Sequence, residues 1–94
     1  MIHLLGRDTN MKKYILRLEN KSYVTLIKEG KNARVHETDL HCAFPLRDIE
    51  EAKNYAAAIN NKEKIYNEKI FSNLKVIEIT ELTITTKVTS RHKL

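Results

Sequence analysis

The stretch Phe44–Ile59, FPLRDIEEAKNYAAAI, constrains the fold more than any other part of this chain. It combines a start signal, a helical period and a narrow apolar stripe. Pro45 fixes its own φ and holds Phe44 extended. Asp48 stands where an N-cap is needed, and Glu51, three residues on, supplies the second half of a capping box. Glu50 and Glu51 also suit the positive end of the helix dipole. Ile49, Ala52, Ala56 and Ile59 step by three, four and three, which is one helical face, with Tyr55 at its edge. The small alanine side chains let such a helix approach a sheet closely. Asn60-Asn61 weakens the pattern without breaking it, and Ile65, Tyr66 and Ile70 resume it. Either the helix continues through Lys62–Phe71 or it kinks into a second short helix ending near Ser72-Asn73, and the second arrangement is favoured.

Around this helix the sequence predicts strands. Tyr14–Glu19 places Tyr14, Leu16 and Leu18 on one face and Arg17 and Glu19 on the other. Asn20-Lys21-Ser22 is turn chemistry, and Tyr23–Ile27 is β-branched and aromatic, so the two runs read as a β-hairpin. Ala33–Glu37 suits a further short strand, with Thr38-Asp39 as a turn. Leu74–Thr80 is a strand by composition. Leu82–Thr89 alternates, with Leu82, Ile84, Thr86 and Val88 on one face and Thr83, Thr85, Lys87 and Thr89 on the other. Thr80-Glu81 contains neither Gly nor Pro, so these two runs are either one long bent strand or a strand that bulges and crosses to another subunit. Residues 1–10 read as an N-terminal extension before a second start at Met11, residues 11–90 as a single domain, and residues 91–94 as a frayed basic tail. The expected fold class is α+β. Its antiparallel sheet has three to five strands, an N-terminal hairpin plus C-terminal strands, packed on one main helix with a second short helix as an option.

With 94 residues, six aromatics and no tryptophan, the core must be thin and mostly aliphatic. Thin cores favour association, here as a homodimer or with a partner. The net charge is +5, but residues 48–94 hold eight Lys/Arg against seven Asp/Glu, so it is spread rather than gathered into the stripe of a typical nucleic-acid binder. One cysteine cannot form an intramolecular disulfide. No apolar run reaches the length of a membrane span, and His3-Leu4-Leu5 before Gly6-Arg7-Asp8 is too short for a signal peptide. The expected location is cytoplasmic, with no membrane partner.

His36, Asp39, His41 and Cys42 fall within seven residues. An extended backbone would point His41 and Cys42 to opposite faces, and no second ligand pair follows, so no metal is expected. Cys42 reads as a buried small hydrophobe, because His41 is poorly placed to serve as its base. The two glycines, Gly6 and Gly30, exclude GxGxxG and Walker loops. The chain therefore reads as non-enzymatic and without a cofactor. Two binding readings remain. A basic strand face from Lys12, Arg17, Lys28 and Arg34, with Tyr14 and Tyr23 near enough to stack bases, would take nucleic acid. Glu19, Glu29 and Glu37 oppose it. An edge-like C-terminal strand carrying Thr83, Thr85 and Lys87 would take a protein partner by strand addition. The protein partner is the preferred reading and nucleic acid the alternative.

The order YILRLENKSYVTLI, AFPLRDIEEAKNYAAAI and LKVIEI resembles a broad group of small phage- and prophage-encoded proteins of uncharacterised function from Gram-positive bacteria. Ala43-Phe44, Glu50-Glu51-Ala52 and Val76-Ile77-Glu78-Ile79 carry the likeness, which extends from about Met11 to Thr80. The segments Asn60–Asn73 and Leu82–Thr89 depart from the group's compact pattern. The resemblance implies an accessory role, binding and modulating a host factor in the host cytoplasm, and supplies no catalytic residues.

Overall fold

Among the described residues, seven strands form one mixed sheet in the order β4-β5-β3-β2-β1-β6-β7, with one α-helix across one face. The structure is a computed structural model that describes residues 12–65 and 68–94, Phe71 by its backbone alone. The strands are β1 (Lys12–Leu18), β2 (Tyr23–Glu29), β3 (Asn32–Thr38), β4 (Lys64–Ile65), β5 (Glu68–Phe71), β6 (Val76–Thr83) and β7 (Val88–Lys93). The helix is α1 (Ile49–Asn61). The chain is thus mostly sheet. The expected antiparallel sheet of three to five strands is corrected to seven, and β3 and β5 run parallel. The proposed extension Met1–Asn10 lies outside the described residues.

The helix forms where its signals place it. Asp48 accepts from the Glu51 amide at 2.8 Å, and the Glu51 carboxylate accepts from the Arg47 amide at 3.0 Å, a complete capping box displaced by one residue at its return arm. Ala52, Tyr55, Ala56, Ala58 and Ile59 are buried against Leu16, Leu18, Val24, Leu26, Val35 and Ile79 of the sheet. Tyr55, expected at the edge of the stripe, is inside it.

Among the described residues no second helix follows; β4 and β5 occupy the expected segment ending near Ser72-Asn73, which corrects it. Lys62 adopts the left-handed conformation (φ 57°), and its amide and that of Glu63 both donate to the Ala58 carbonyl, a Schellman-type stop. Asn60 then clamps the helix end to the start of β6. Its side chain accepts from the Val76 amide at 2.8 Å and donates to the Val76 carbonyl at 2.9 Å. Ile65 and Ile70, read together with Tyr66 as a resumed helical stripe, bury themselves from β4 and β5 instead, and Tyr66 lies outside the described residues. Short apolar runs fit either period, and here the αL stop decides.

The β1–β2 hairpin closes at Arg17↔Tyr23, and then the two strands separate. Residues 44–46 fill the gap. The Phe44 amide donates to the Val24 carbonyl of β2 at 2.9 Å, while Leu46 exchanges both backbone bonds with Tyr14 of β1 at 2.8 and 3.0 Å. Pro45 sits between two residues whose amides are both used, so its missing donor costs nothing here. Before the crossing, Leu40 and Ala43 cover a small apolar group on the far face: Ile15, Tyr23 and Leu82. After it, Leu46 and Ile49 join the main core.

β6 runs through Thr80-Glu81 as one strand, which joins the two expected runs there, and only after Thr83 does the chain turn back into β7 as a hairpin. The Thr83 amide donates to the Lys87 carbonyl at 2.9 Å and the Thr86 amide to the Thr83 carbonyl at 3.0 Å, with Thr86 at φ 66°. The β1–β2 turn has the same bonds, Leu18 amide to Ser22 carbonyl and Lys21 amide to Leu18 carbonyl, with Lys21 at φ 72°. Both are three-residue loops whose last position normally takes glycine. The alternation read across Leu82–Thr89 is therefore broken by a turn. Arg91–Lys93, expected to fray, belong to β7, and the Leu94 amide donates to the Ile77 carbonyl at 3.0 Å.

A β-branched residue in the left-handed region is strained by about 1–2 kcal/mol. Thr86→Gly should therefore raise stability, by about 0.5–1 kcal/mol after the loss of the 3.3 Å bond from Lys13. Asn60→Ala should lower it by about 1–3 kcal/mol, because it strands two buried backbone groups of Val76. Denaturant unfolding of both variants, with unchanged slope, checks the two signs.

Candidate functional site

Two glutamates of β6 are nearly inaccessible, Glu78 at 6% and Glu81 at 9% exposure. They leave opposite faces of the sheet, because they are three residues apart, an odd number, in a stretch that pairs regularly with β1 from Arg17↔Glu78 to Tyr14↔Glu81. Glu78 accepts from Arg17 at 2.9 Å and from Arg91 at 3.3 Å. The Arg91 guanidinium also donates to the Thr80 hydroxyl at 2.9 Å and to the Tyr23 hydroxyl at 3.0 Å. Glu81 accepts from Lys12 at 2.8 Å and from Thr89 at 2.9 Å, with His92 Nε2 3.4 Å away. Hydrogen bonding from Arg17, then its charge and that of Arg91, holds the Glu78 carboxyl below its usual range against desolvation. Lys12 does the same for Glu81 and is itself raised in return.

These bonds redistribute the residues expected to form one basic surface. Lys12 and Tyr14 lie on the helix side, where Lys12 is held by Glu81 and Tyr14 packs on the core. Arg17 and Tyr23 lie on the far side, where Arg17 stacks over the Tyr23 ring at 6.0 Å and Tyr23 is buried. Lys28 returns to the helix side, 3.1 Å from Glu68 and 5.6 Å above the Phe44 ring, and Glu68 raises its pKa. Arg34 is exposed and faces Glu29 at 3.6 Å. Thr83, Thr85 and Lys87 gather at the β6–β7 turn, where the two hydroxyls lie 3.0 Å apart and Thr83 Oγ1 accepts from the Lys87 amide. The structure therefore divides the nine residues between two faces and a turn.

The histidine–cysteine group lies on β3 and the short 3-10 turn Leu40–Cys42. Asp39 caps that turn by accepting from the Cys42 amide at 2.9 Å, which lowers the Asp39 pKa. Among the described residues no group of three or more His, Cys, Asp or Glu is placed to hold a metal ion. Cys42 is exposed, correcting the expectation of a buried thiol. The turn directs Leu40 and Ala43 inward.

The structure adds two features to the sequence reading. The first is where the C-terminal edge lies: among the described residues β7 ends the strand order, so the edge runs over Val88–Lys93, beyond the expected Thr83, Thr85 and Lys87, which sit at the turn before it. The Leu94 amide bonds β6, so by antiparallel alternation His92 and Ser90 also bond β6, while Arg91 and Lys93 direct their amides outward. The second is an open cleft of about 510 Å³ lined by Arg34, Val35, His36, Lys62, Lys69, Ile70, Ser72 and Asn73. Among the described residues its lining holds Arg34, His36, Lys62 and Lys69 and no carboxylate. It needs β5 to stand beside β3, and the helical reading of residues 62–71 concealed that.

The Glu78 network ties four strands together and is sensitive to pH. Its folded carboxyl titrates below the ordinary 4.5, so its contribution is full above that value and fades as pH falls through the lower folded one. Glu78→Gln should destabilise the protein at about pH 7 by about 1.5–3 kcal/mol, with the gap narrowing at about pH 3. Denaturant unfolding at both pH values measures the difference.

No helix among the described residues is long and apolar enough to cross a membrane. Compared with known proteins, the chain matches no family profile, no curated protein and no solved structure.

Proposed function

We propose that this protein is a non-enzymatic interaction module that binds a protein partner by strand addition at β7. Its likeness to small phage and prophage proteins suits an accessory role in the host cytoplasm, modulating a host factor. The observation that carries the reading is the edge itself. β7 is six residues long with its outer backbone groups unused by the sheet, whereas β4, at the other end, is two residues long. Three exposed large apolar residues, Ile84 (52%), Val88 (38%) and Leu94 (57%), sit on β7, at its end or in the turn before it. Main-chain bonds at such an edge give affinity, and flanking side chains give selectivity. Two copies pairing at β7 would bring Arg91, His92 and Lys93 of each together, so like charge favours a foreign strand over a homodimer. The nucleic-acid alternative needs a basic face that Lys12, Arg17, Lys28 and Arg34 do not share.

A photoreactive amino acid at Val88, introduced in cells that encode the protein, should give a dominant protein adduct. Lys93→Pro removes an outward amide without touching the β6 ladder, a position where an edge strand tolerates proline. That variant should lose at least about nine-tenths of the adduct, while a cross-linker at Lys53 on the helix gives none. Adducts that persist in Lys93→Pro would overturn the reading. So would nucleic-acid binding that survives about 200 mM salt, beyond the background expected of a basic protein.

A further inference from the structure

We infer that the cleft beside β3 is a second docking site, for an acidic peptide in extended conformation. The cleft exists because β5 covers only part of β3: their parallel pairing runs Asn32↔Lys69, Ala33↔Ile70 and Arg34↔Phe71, and the chain then turns away through Ser72 and Asn73. The Lys69 amide donates to the Lys31 carbonyl at 2.8 Å, so the odd-numbered residues of β3 direct their backbone groups toward β5. Beyond Arg34 that direction belongs to the Val35 carbonyl and to the Glu37 amide and carbonyl, which face the space β5 has left. An extended segment laid there would continue the sheet where β5 stops.

The surroundings specify its charge. Arg34 and His36 alternate along one side of β3, Lys69 stands beside them on β5, and Lys62 reaches the cleft from the left-handed cap of α1. Two of the neighbouring acidic side chains, Glu68 and Glu37, have partners outside the cleft. Glu68 meets Lys28 at 3.1 Å. Glu37 is held by the side chains of Asn20 and Ser22. Glu29 meets Arg34 only at 3.6 Å, with both side chains about 60% exposed, an arrangement that holds the arginine weakly. Val35 and Ile70 supply a small apolar floor. Backbone acceptors and a donor, an apolar floor and converging cations describe a site for a strand that alternates carboxylate and aliphatic side chains. Nucleic acid would use the cations but not the strand edge. The site is separate from β7 and does not depend on the reading given to that edge.

The test is a titration of the isotope-labelled protein with a synthetic peptide of about six residues alternating glutamate and valine, followed by amide NMR. Saturable shifts are expected at Val35–Thr38, Lys62 and Asn73. The same peptide with glutamine for glutamate should bind at least about tenfold more weakly. Lys62→Glu, whose side chain is exposed, should weaken the acidic peptide about tenfold with the remaining spectrum unchanged. Shifts spread over all exposed lysines, or unaltered affinity in Lys62→Glu, would overturn the site. Tighter binding of single-stranded DNA to the same amides would also overturn it, in favour of a nucleic-acid groove. Shifts confined to β7 would overturn it while leaving the β7 proposal standing.

Discussion

The rest of the structure depends on the passage of residues 43–46 through the sheet. β1 and β2 are registered only beside their turn, and beyond it each would present unpaired backbone groups to a buried gap. Such groups are costly to leave unsatisfied, so a segment that can bond both strands is required. Phe44 bonds β2 and Leu46 bonds β1. The same short segment moves the chain from the face carrying Ile15, Tyr23 and Leu82 to the face carrying α1. That is how, among the described residues, one helix and one 3-10 turn come to lie on the two sides of the sheet.

β6 fixes the other half of the molecule. It lies between β1 and β7, and each of its two buried glutamates takes a cation or imidazole from both neighbours. Glu78 meets Arg17 and Arg91 on one face, and Glu81 meets Lys12 and His92 on the other. A slip of one residue in either ladder would carry the glutamates to the opposite faces, away from these partners. A buried carboxylate without a partner is strongly destabilising, so the ion pairs act chiefly as a register lock. This also explains why β7 stays ordered despite having hardly any buried side chain of its own.

The parts of this fold that could be read from sequence are those with a local cause. Asp48 and Glu51 cap whatever helix follows them, and the alternation of Tyr14–Leu18 needs only β1 itself. The errors share a different cause. Ile65 and Ile70 fit a helix or two short strands, and the difference lies in Lys62 adopting a left-handed cap without being glycine or asparagine. Thr86 similarly turns the chain at a position where glycine is the usual signal. Cys42 has the apolar character of a buried residue, whereas the Asp39-capped turn that carries it leaves it exposed. For the surface, the informative residues were acidic. Glu78 and Glu81 interrupt the apolar run VIEITEL, and a carboxylate inside such a strand needs a cation from a neighbour. Counting those two demands would have removed Lys12 and Arg17 from the exposed basic face.

What remains accessible is then a matter of subtraction. Lys12, Arg17, Lys28 and Arg91 are held by Glu81, Glu78 and Glu68, so little of the net charge of +5 lies over these pairs. Among the described residues the lining of the cleft beside β3 includes Arg34, His36 and Lys62 and no carboxylate. The β7 edge has the opposite character. An inward-pointing charge such as Arg91 is a device that keeps edges from pairing indiscriminately. Here it is combined with Ile84, Val88 and Leu94 left in solvent, which such protection alone would not require. An edge meant only to stay single would carry charge in those places. An edge that discourages its own copy while keeping apolar contacts available is better suited to one particular foreign strand.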